Sequence, residues 1–275
     1  QTPVFFGSAL KDFAVEPFLH TLLTLSPSPQ PRESDKGLLH PTQESFSGFI
    51  FKIQANMNPR HRDRVAFLRV CSGRLTKDMT VVNARLDTSL RLSRVYRFFG
   101  RDRETIPEAY PGDVVGIVNP GRIAIGDTLY ADSPVSFPPV PKFPPEQFAS
   151  LRPGDVRHKR FDEAINQLAE EGLLQVFLPQ MGPLNPIVGV IGPLQLDVIE
   201  ARLLNEYGIE CKVEQLPHIG VRWPQTNDFN SLALPLSGVL KAVDQQGQKT
   251  LIFQTSWELQ YAIDKNPNIN FQESM

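Results

Sequence analysis

The sequence predicts an α+β, multidomain fold: an all-β barrel followed by a unit in which strands and helices alternate. Between Phe46 and Tyr130, short alternating runs of apolar and polar residues are punctuated by Gly73, Pro111-Gly112-Asp113 and Gly126-Asp127, a spacing of strands and turns that favours a small closed barrel. Beyond Gln147 the hydrophobic period switches repeatedly between two and about 3.6 residues, the mark of strands alternating with helices. Proline-rich pieces, Ser26 to Pro41 and Pro134 to Pro145, read as extended linkers between these parts. A chain of 275 residues is long enough for about two domains.

In chain order, Val4-Phe5-Phe6 reads as a short buried strand whose partner is remote in sequence. Val15, Phe18, Leu19, Leu22 and Leu23 then recur at helical spacing, with Pro17 suited to a first turn. Phe49, Phe51 and Ile53 alternate along a first barrel strand and Val65 to Val70 forms a second. Further runs follow at Val81, Leu90 to Phe98, Val114 to Val118 and Ile123 to Tyr130. Gln147 to Leu151 is a strand, and Phe161, Ile165, Leu168 and Ala169 form a helical face ended by Gly172. Leu173 to Leu178 and Pro186 to Ile191 are strands; Leu196, Ile199, Leu203 and Tyr207 make a second helical stripe ended by Gly208; Ile209 to Val213 is a strand. The order βαββαβ is that of a ferredoxin-like domain, with both helices on one face of an antiparallel sheet. Leu251-Ile252-Phe253 adds a strand and Trp257 to Ile263 a short helix.

Composition removes several function classes. With 41% hydrophobic and 21% charged residues the chain is an ordinary globular one, and disorder throughout is excluded. A net charge of -2 argues against a uniformly basic nucleic-acid binder, so any RNA contact has to come from a local patch. The two cysteines, Cys71 and Cys211, lie far apart in apolar runs without a CxxC pair and read as buried free thiols of a reducing cytoplasm. No apolar run approaches the ~20 residues that span a bilayer, and Gln1-Thr2-Pro3 lacks the basic and apolar regions of a signal peptide. The expectation is a cytoplasmic monomer with no membrane partner.

The run Phe46-Ser47-Gly48-Phe49-Ile50-Phe51-Lys52-Ile53, with the basic loop and the Val65 to Val70 strand after it, resembles the opening hairpin of the second domain of a translational GTPase, closest in wording to the release factor 3 family. Ala109-Tyr110-Pro111-Gly112-Asp113-Val114 and Ile125-Gly126-Asp127-Thr128-Leu129 resemble later strands of that translation-factor β-barrel. Glu170-Glu171-Gly172-Leu173-Leu174 and Val188-Gly189-Val190-Ile191-Gly192-Pro193-Leu194 resemble the third domain, which is also similar to elongation factor G. Gly7-Ser8-Ala9-Leu10 resembles the last guanine-recognition loop of the GTPase domain. The resemblance covers almost the whole chain and implies a division into the end of a GTPase domain (1–30), a linker (31–45), the barrel (46–135), a second linker (136–145) and a ferredoxin-like domain with a C-terminal extension (146–275). The loop departs from the family at Asn58, where an acid is usual, and the segment after Trp223 matches poorly.

For the intact protein the resemblance implies a ribosome-dependent GTPase that uses GTP and Mg and speeds departure of a class I release factor. The barrel would meet ribosomal RNA and the third domain a small-subunit protein. In this chain no Gly-x-x-x-x-Gly-Lys-Ser/Thr loop occurs, so it is expected to carry no catalytic residue, no metal and no cofactor of its own. Ser8, Ala9 and Leu10 are the nucleotide-binding candidates that the resemblance implies. Arg60, His61, Arg62 and Arg64 crowd a turn, where guanidinium groups can reach phosphates bidentately, and are the ribosomal RNA candidates. A solvated hairpin tip with Asp63 pairing one arginine is the plainer reading of the same residues.

Other constellations are weaker. Arg91, Arg94, Arg97, Arg101 and Arg103 mix strand and loop spacing. His61, Asp63 and Cys71 lack the further ligands of a metal site. Glu170 and Glu171, adjacent on a helix, point about a hundred degrees apart, cannot face each other as acid and base, and read as solvent-facing. Gly189-Val190-Ile191-Gly192 lacks the spacing of a dinucleotide loop and reads as close backbone packing. Three alternatives stay open: an elongation factor G-like fragment, a stand-alone RNA-binding β-barrel, and an unrelated enzyme with a pocket between the two parts. The second would need aromatic and basic side chains interleaved on an exposed sheet face, whereas Phe49 and Phe51 alternate as core residues do.

Overall fold

The computed structural model describes residues 2–55, 64–99, 102–119, 121–154, 158–181 and 185–274. The chain starts with a short 3-10 turn, Ala9–Lys11, and helix α1 (Val15–Leu25), none of whose residues is buried. Phe5 meets Phe18 edge to face at 5.5 Å. The buried strand expected at Val4-Phe5-Phe6 does not form: these residues are exposed and pair with no strand among the described residues. A strand needs both a ladder partner and a covering face, and the described part of the chain supplies neither here.

Within the stretch read as linker, β1 (Arg32–Ser34) and β2 (Gly37–Leu39) form a small hairpin. It is docked on the barrel. The Arg32 guanidinium lies 4.0 Å over the Phe49 ring and 5.3 Å from that of Phe137, while Asp35 and Ser136 exchange hydrogen bonds.

The barrel strands are β3 (Ser47–Gln54), β4 (Val65–Ser72), β5 (Leu75–Thr76), β6 (Thr80–Asn83), β7 (Thr88–Arg91), β8 (Val95–Phe99), β9 (Asp102–Thr105), β10 (Glu108–Ala109), β11 (Val114–Val118) and β12 (Thr128–Tyr130). Eight make one antiparallel sheet in the order β7-β6-β12-β3-β4-β11-β8-β9, and β5 pairs with β10. They wrap a single core that includes Phe46, Ile50, Leu68, Leu75, Ile117 and Leu129. The expected alternation of Phe49, Phe51 and Ile53 is broken: Ile50 and Ile53 are buried, whereas Phe51 is 41% exposed. The β3–β4 register shifts between Ile50 and Lys52, and such a bulge inserts an extra residue that turns the following side chains over. Phe49 is buried outside that core, under the docked hairpin.

The second part contains β13 (Gln147–Pro153), α2 (His158–Glu170), β14 (Gln175–Pro179), β15 (Ile187–Val190), α3 (Leu194–Tyr207) and β16 (Cys211–Leu216). These four strands lie in the order β16-β13-β15-β14, the expected ferredoxin-like arrangement. The predicted stripe on α3 is the buried one, Leu196, Ile199, Leu203 and Tyr207, and Gly208 ends the helix with φ +64. Phe161, Ile165 and Leu168 of α2 are buried in the same core.

The C-terminal stretch continues this sheet. Beyond β14 come β18 (Val239–Asp244), β19 (Lys249–Phe253), β17 (Gly220–Pro224) and β20 (Phe271–Gln272), completing an eight-stranded sheet. Helix α4 (Ser256–Lys265) starts with a capping box of Thr255 and Glu258. Alternation on β13 sends Ala149 and Leu151 into the helix-side core and Phe148 into another with Phe177, Val221, Trp223 and Ile252.

Candidate nucleic-acid interface at the barrel seam

The base of the basic hairpin lies where the barrel meets the second part. Ala55, which follows β3, donates its backbone N–H to Glu171 Oε1 at 2.8 Å, and Arg64, which precedes β4, donates to Glu170 Oε2 at 2.8 Å. Both carboxylates sit where α2 ends: Gly172 N–H bonds to Ala169 and Leu173 N–H to Leu168, and Gly172 takes φ +76 to close the helix. Glu171 also accepts two bonds from Arg202 of α3, at 2.6 and 3.2 Å, and Arg202 donates to Glu206 at 2.6 and 2.8 Å.

Of these two adjacent acids, both read as solvent-facing, Glu170 is exposed as expected and Glu171 is not. The Glu171 side chain is only 8% exposed and that of Glu170 is 41% exposed. Burial pushes the Glu170 carboxyl above the usual glutamate range, outweighing the downward pull of Arg64, with repulsion from Glu171 adding to the rise. For Glu171 the expectation failed because the helix C-terminus, which looks free in sequence, meets Ala55 of a hairpin far away along the chain.

Beside the seam, an open groove of about 380 Å³ is lined by Ile53, Arg85, Leu86, Arg122 and Glu170, with Gly121 in its wall. Its floor is rigid. Asp127, almost fully buried, accepts from Asn83 Nδ2 at 2.6 Å, Arg85 Nε at 2.6 Å, Arg85 Nη2 at 3.0 Å and Ala124 N–H at 2.9 Å. Asn119 Oδ1 accepts from the N–H groups of Gly121, Arg122 and Ile123, holding the loop that carries Arg122. Arg122 has no side-chain partner among the described residues.

Of the RNA candidates, Arg64 is placed at the seam and paired, while Arg60, His61 and Arg62 lie outside the described residues. Reading along the chain missed Arg85 and Arg122 and misjudged Glu171 as solvent-facing; the Gly126-Asp127 turn was visible, but nothing in sequence tied it to Arg85. Of the second basic cluster, Arg91 pairs with Asp78 at 3.1 Å, Arg103 lies over Tyr96, and Arg101 is outside the described residues. For the nucleotide candidates, Ser8 exchanges two backbone bonds with Phe13, Ala9 belongs to the 3-10 turn, and Leu10 points fully into solvent.

Among the described residues no group of three or more His, Cys, Asp or Glu could hold a metal ion, and no helix is long and apolar enough to cross a membrane. His61 and Asp63 lie outside the described residues. Cys211 is buried, its thiol pushed up to about 11 by burial. Cys71, expected to be buried, is half-buried, with its thiol raised by the same cause. At Gly189 a Cβ would stand 2.8 Å from Pro145 Cβ, the close packing expected there.

Comparison with known proteins adds the following. Residues 137–263 match the family described as class II release factor RF3, C-terminal domain, and residues 45–132 match elongation factor G domain 2. A protein of Gloeobacter violaceus named peptide chain release factor 3 is 44% identical over 277 residues, covering 99% of this chain and 52% of that protein. One of the same name from Symbiobacterium thermophilum is 40% identical, covering 98% and 52%. The chain therefore spans about half the length of the curated relatives it matches. A crystal structure of a Thermus thermophilus protein shares the fold, with a TM-score of 0.61 and 24% identity over 88% of this chain and 36% of that one.

Proposed function

We propose, for a chain that belongs to the peptide chain release factor 3 family, that it is the ribosome-docking part of a GTPase that promotes recycling of class I release factors at the end of translation. The observation that carries this reading is the pair of adjoining family matches, in the order barrel then C-terminal domain, within an alignment to release factor 3 that runs over nearly the entire chain. The division at 46–135 and 146–275 belongs to the same proposal. GTP and Mg would act in the intact protein, on a nucleotide domain to which Ser8, Ala9 and Leu10 would contribute the edge of a guanine loop. The barrel, through Arg60, His61, Arg62 and Arg64, would meet ribosomal RNA; the C-terminal domain would meet a small-subunit protein. The class I release factor would be engaged indirectly, by a cytoplasmic monomer.

Sedimentation with purified ribosomes over a salt series tests this. Binding should fall steeply with salt, and a variant carrying Arg60→Ala, Arg62→Ala and Arg64→Ala should bind more weakly with a flatter salt dependence. Sedimentation unchanged by those substitutions would retire the RNA assignment.

A further inference from the structure

We infer that the groove at the barrel seam is a docking site for a phosphodiester backbone of RNA, and that Glu170 competes with that backbone by occupying Arg64. The inference rests on the ribosome reading above and names further residues, Arg85 and Arg122 on the barrel and Glu170 on α2, that the reading does not use. Two guanidinium groups, those of Arg85 and Arg122, line this groove, and a third, that of Arg64, pairs with the Glu170 that lines it. Arg85 is aimed by Asp127 and remains half exposed, and it also donates to the Arg122 carbonyl at 3.2 Å. Arg122 sits on a loop fixed by Asn119 and is unpaired among the described residues. Arg64 Nη1 lies against the same loop, 3.5 Å from where a Gly121 Cβ would stand.

The charges explain why a phosphate fits. Buried Asp127 is spent on Arg85, and Glu170 is spent on Arg64, which among the described residues leaves Arg122 as surplus positive charge. The Arg64–Glu170 pair is exchangeable, since its side chains are 28% and 41% exposed, and such pairs are weak and screened by salt. A phosphate accepts bidentately from guanidinium groups and competes with a carboxylate for them. Burial also works against an ionised Glu170, which favours its displacement. Glu171 is different: enclosed and held by Ala55 and Arg202, it keeps the seam together while Glu170 gives way.

The test measures binding of a fluorescein-labelled RNA hairpin of mixed sequence to the full chain by anisotropy, between about 50 and 200 mM salt. Glu170→Gln should tighten binding roughly three- to fivefold, the effect of removing a weak competing ion pair. Arg122→Ala should weaken it and lower the salt slope by about 0.7 to 0.9, one phosphate contact, while Arg122→Lys restores most of the slope. Both sites face solvent, and circular dichroism checks that the variants fold. If Arg60→Ala with Arg62→Ala reduces binding but neither Glu170→Gln nor Arg122→Ala changes it, the groove assignment is overturned and the ribosome reading stands. Tripolyphosphate binding as tightly as the hairpin overturns the choice of RNA. Absence of salt-dependent binding to both the hairpin and ribosomes, in the parent and in Glu170→Gln, overturns both.

Discussion

Replacing Glu171 by alanine should loosen the molecule at one place and by a calculable amount. The carboxylate receives the Ala55 N–H at 2.8 Å and two guanidinium bonds from Arg202, with its side chain 8% exposed. Alanine leaves the Ala55 N–H, on a residue 4% exposed, with no acceptor, at a cost of about 1–3 kcal/mol. Arg202 keeps Glu206 and is 20% exposed, so its loss adds only about 0.5–1 kcal/mol, less than a fully buried pair would forfeit. The sum is about 1.5–4 kcal/mol, or a fall in Tm of about 5–15 °C for a unit of this size. The two tryptophans, Trp223 and Trp257, both lie in the C-terminal part, so fluorescence during urea unfolding reports that part, and circular dichroism follows the barrel strands as well. Glu171→Gln keeps an acceptor for Ala55 and should recover part of the loss. A change below about 0.5 kcal/mol for Glu171→Ala would show that the seam bonds are absent in solution and refute the reasoning.

Two further outcomes are expected. For Glu170 the folded-state carboxyl titrates above its ordinary value, so the stability it contributes is fully present below the usual glutamate range and is lost as pH rises through the raised value. Urea midpoints of the parent should therefore fall relative to Glu170→Gln across that window, and a parent that gains relative stability there contradicts the assignment. Gly116→Ala would place a Cβ into the Phe98 ring and 2.8 Å from Val65 Cγ1, costing about 1–3 kcal/mol. Circular dichroism should show the barrel melting earlier while the tryptophan-reported transition keeps its midpoint.

How much of this was legible differs by element. On α3 the stripe Leu196, Ile199, Leu203, Tyr207 and its stop at Gly208 were readable, because helix period and a left-handed cap are local. The βαββαβ order was readable for the same reason, and its sheet order followed. The β3 alternation was not, since a bulge belongs to the pair of strands and not to either alone. The small hairpin at Arg32 to Leu39 was hidden by prolines that suggest an extended chain; its docking depends on the Phe49 and Phe137 rings elsewhere. The site divided in the same way: the arginine-rich turn stood out, whereas Arg85 and Arg122 gained meaning only beside Glu170.

By itself the sequence determined the succession of strands and helices from Gln147 to Leu216, the buried stripes of α2 and α3, and the likeness to release factor 3, since these depend on neighbours a few positions apart or on residue-by-residue resemblance. Only the tertiary structure decided that Glu171 meets Ala55, 116 positions away, that Glu170 occupies Arg64, and that the C-terminal strands extend one sheet. The partner of a charged group depends on where the barrel and the end of α2 come to rest against each other, and no local period records that distance.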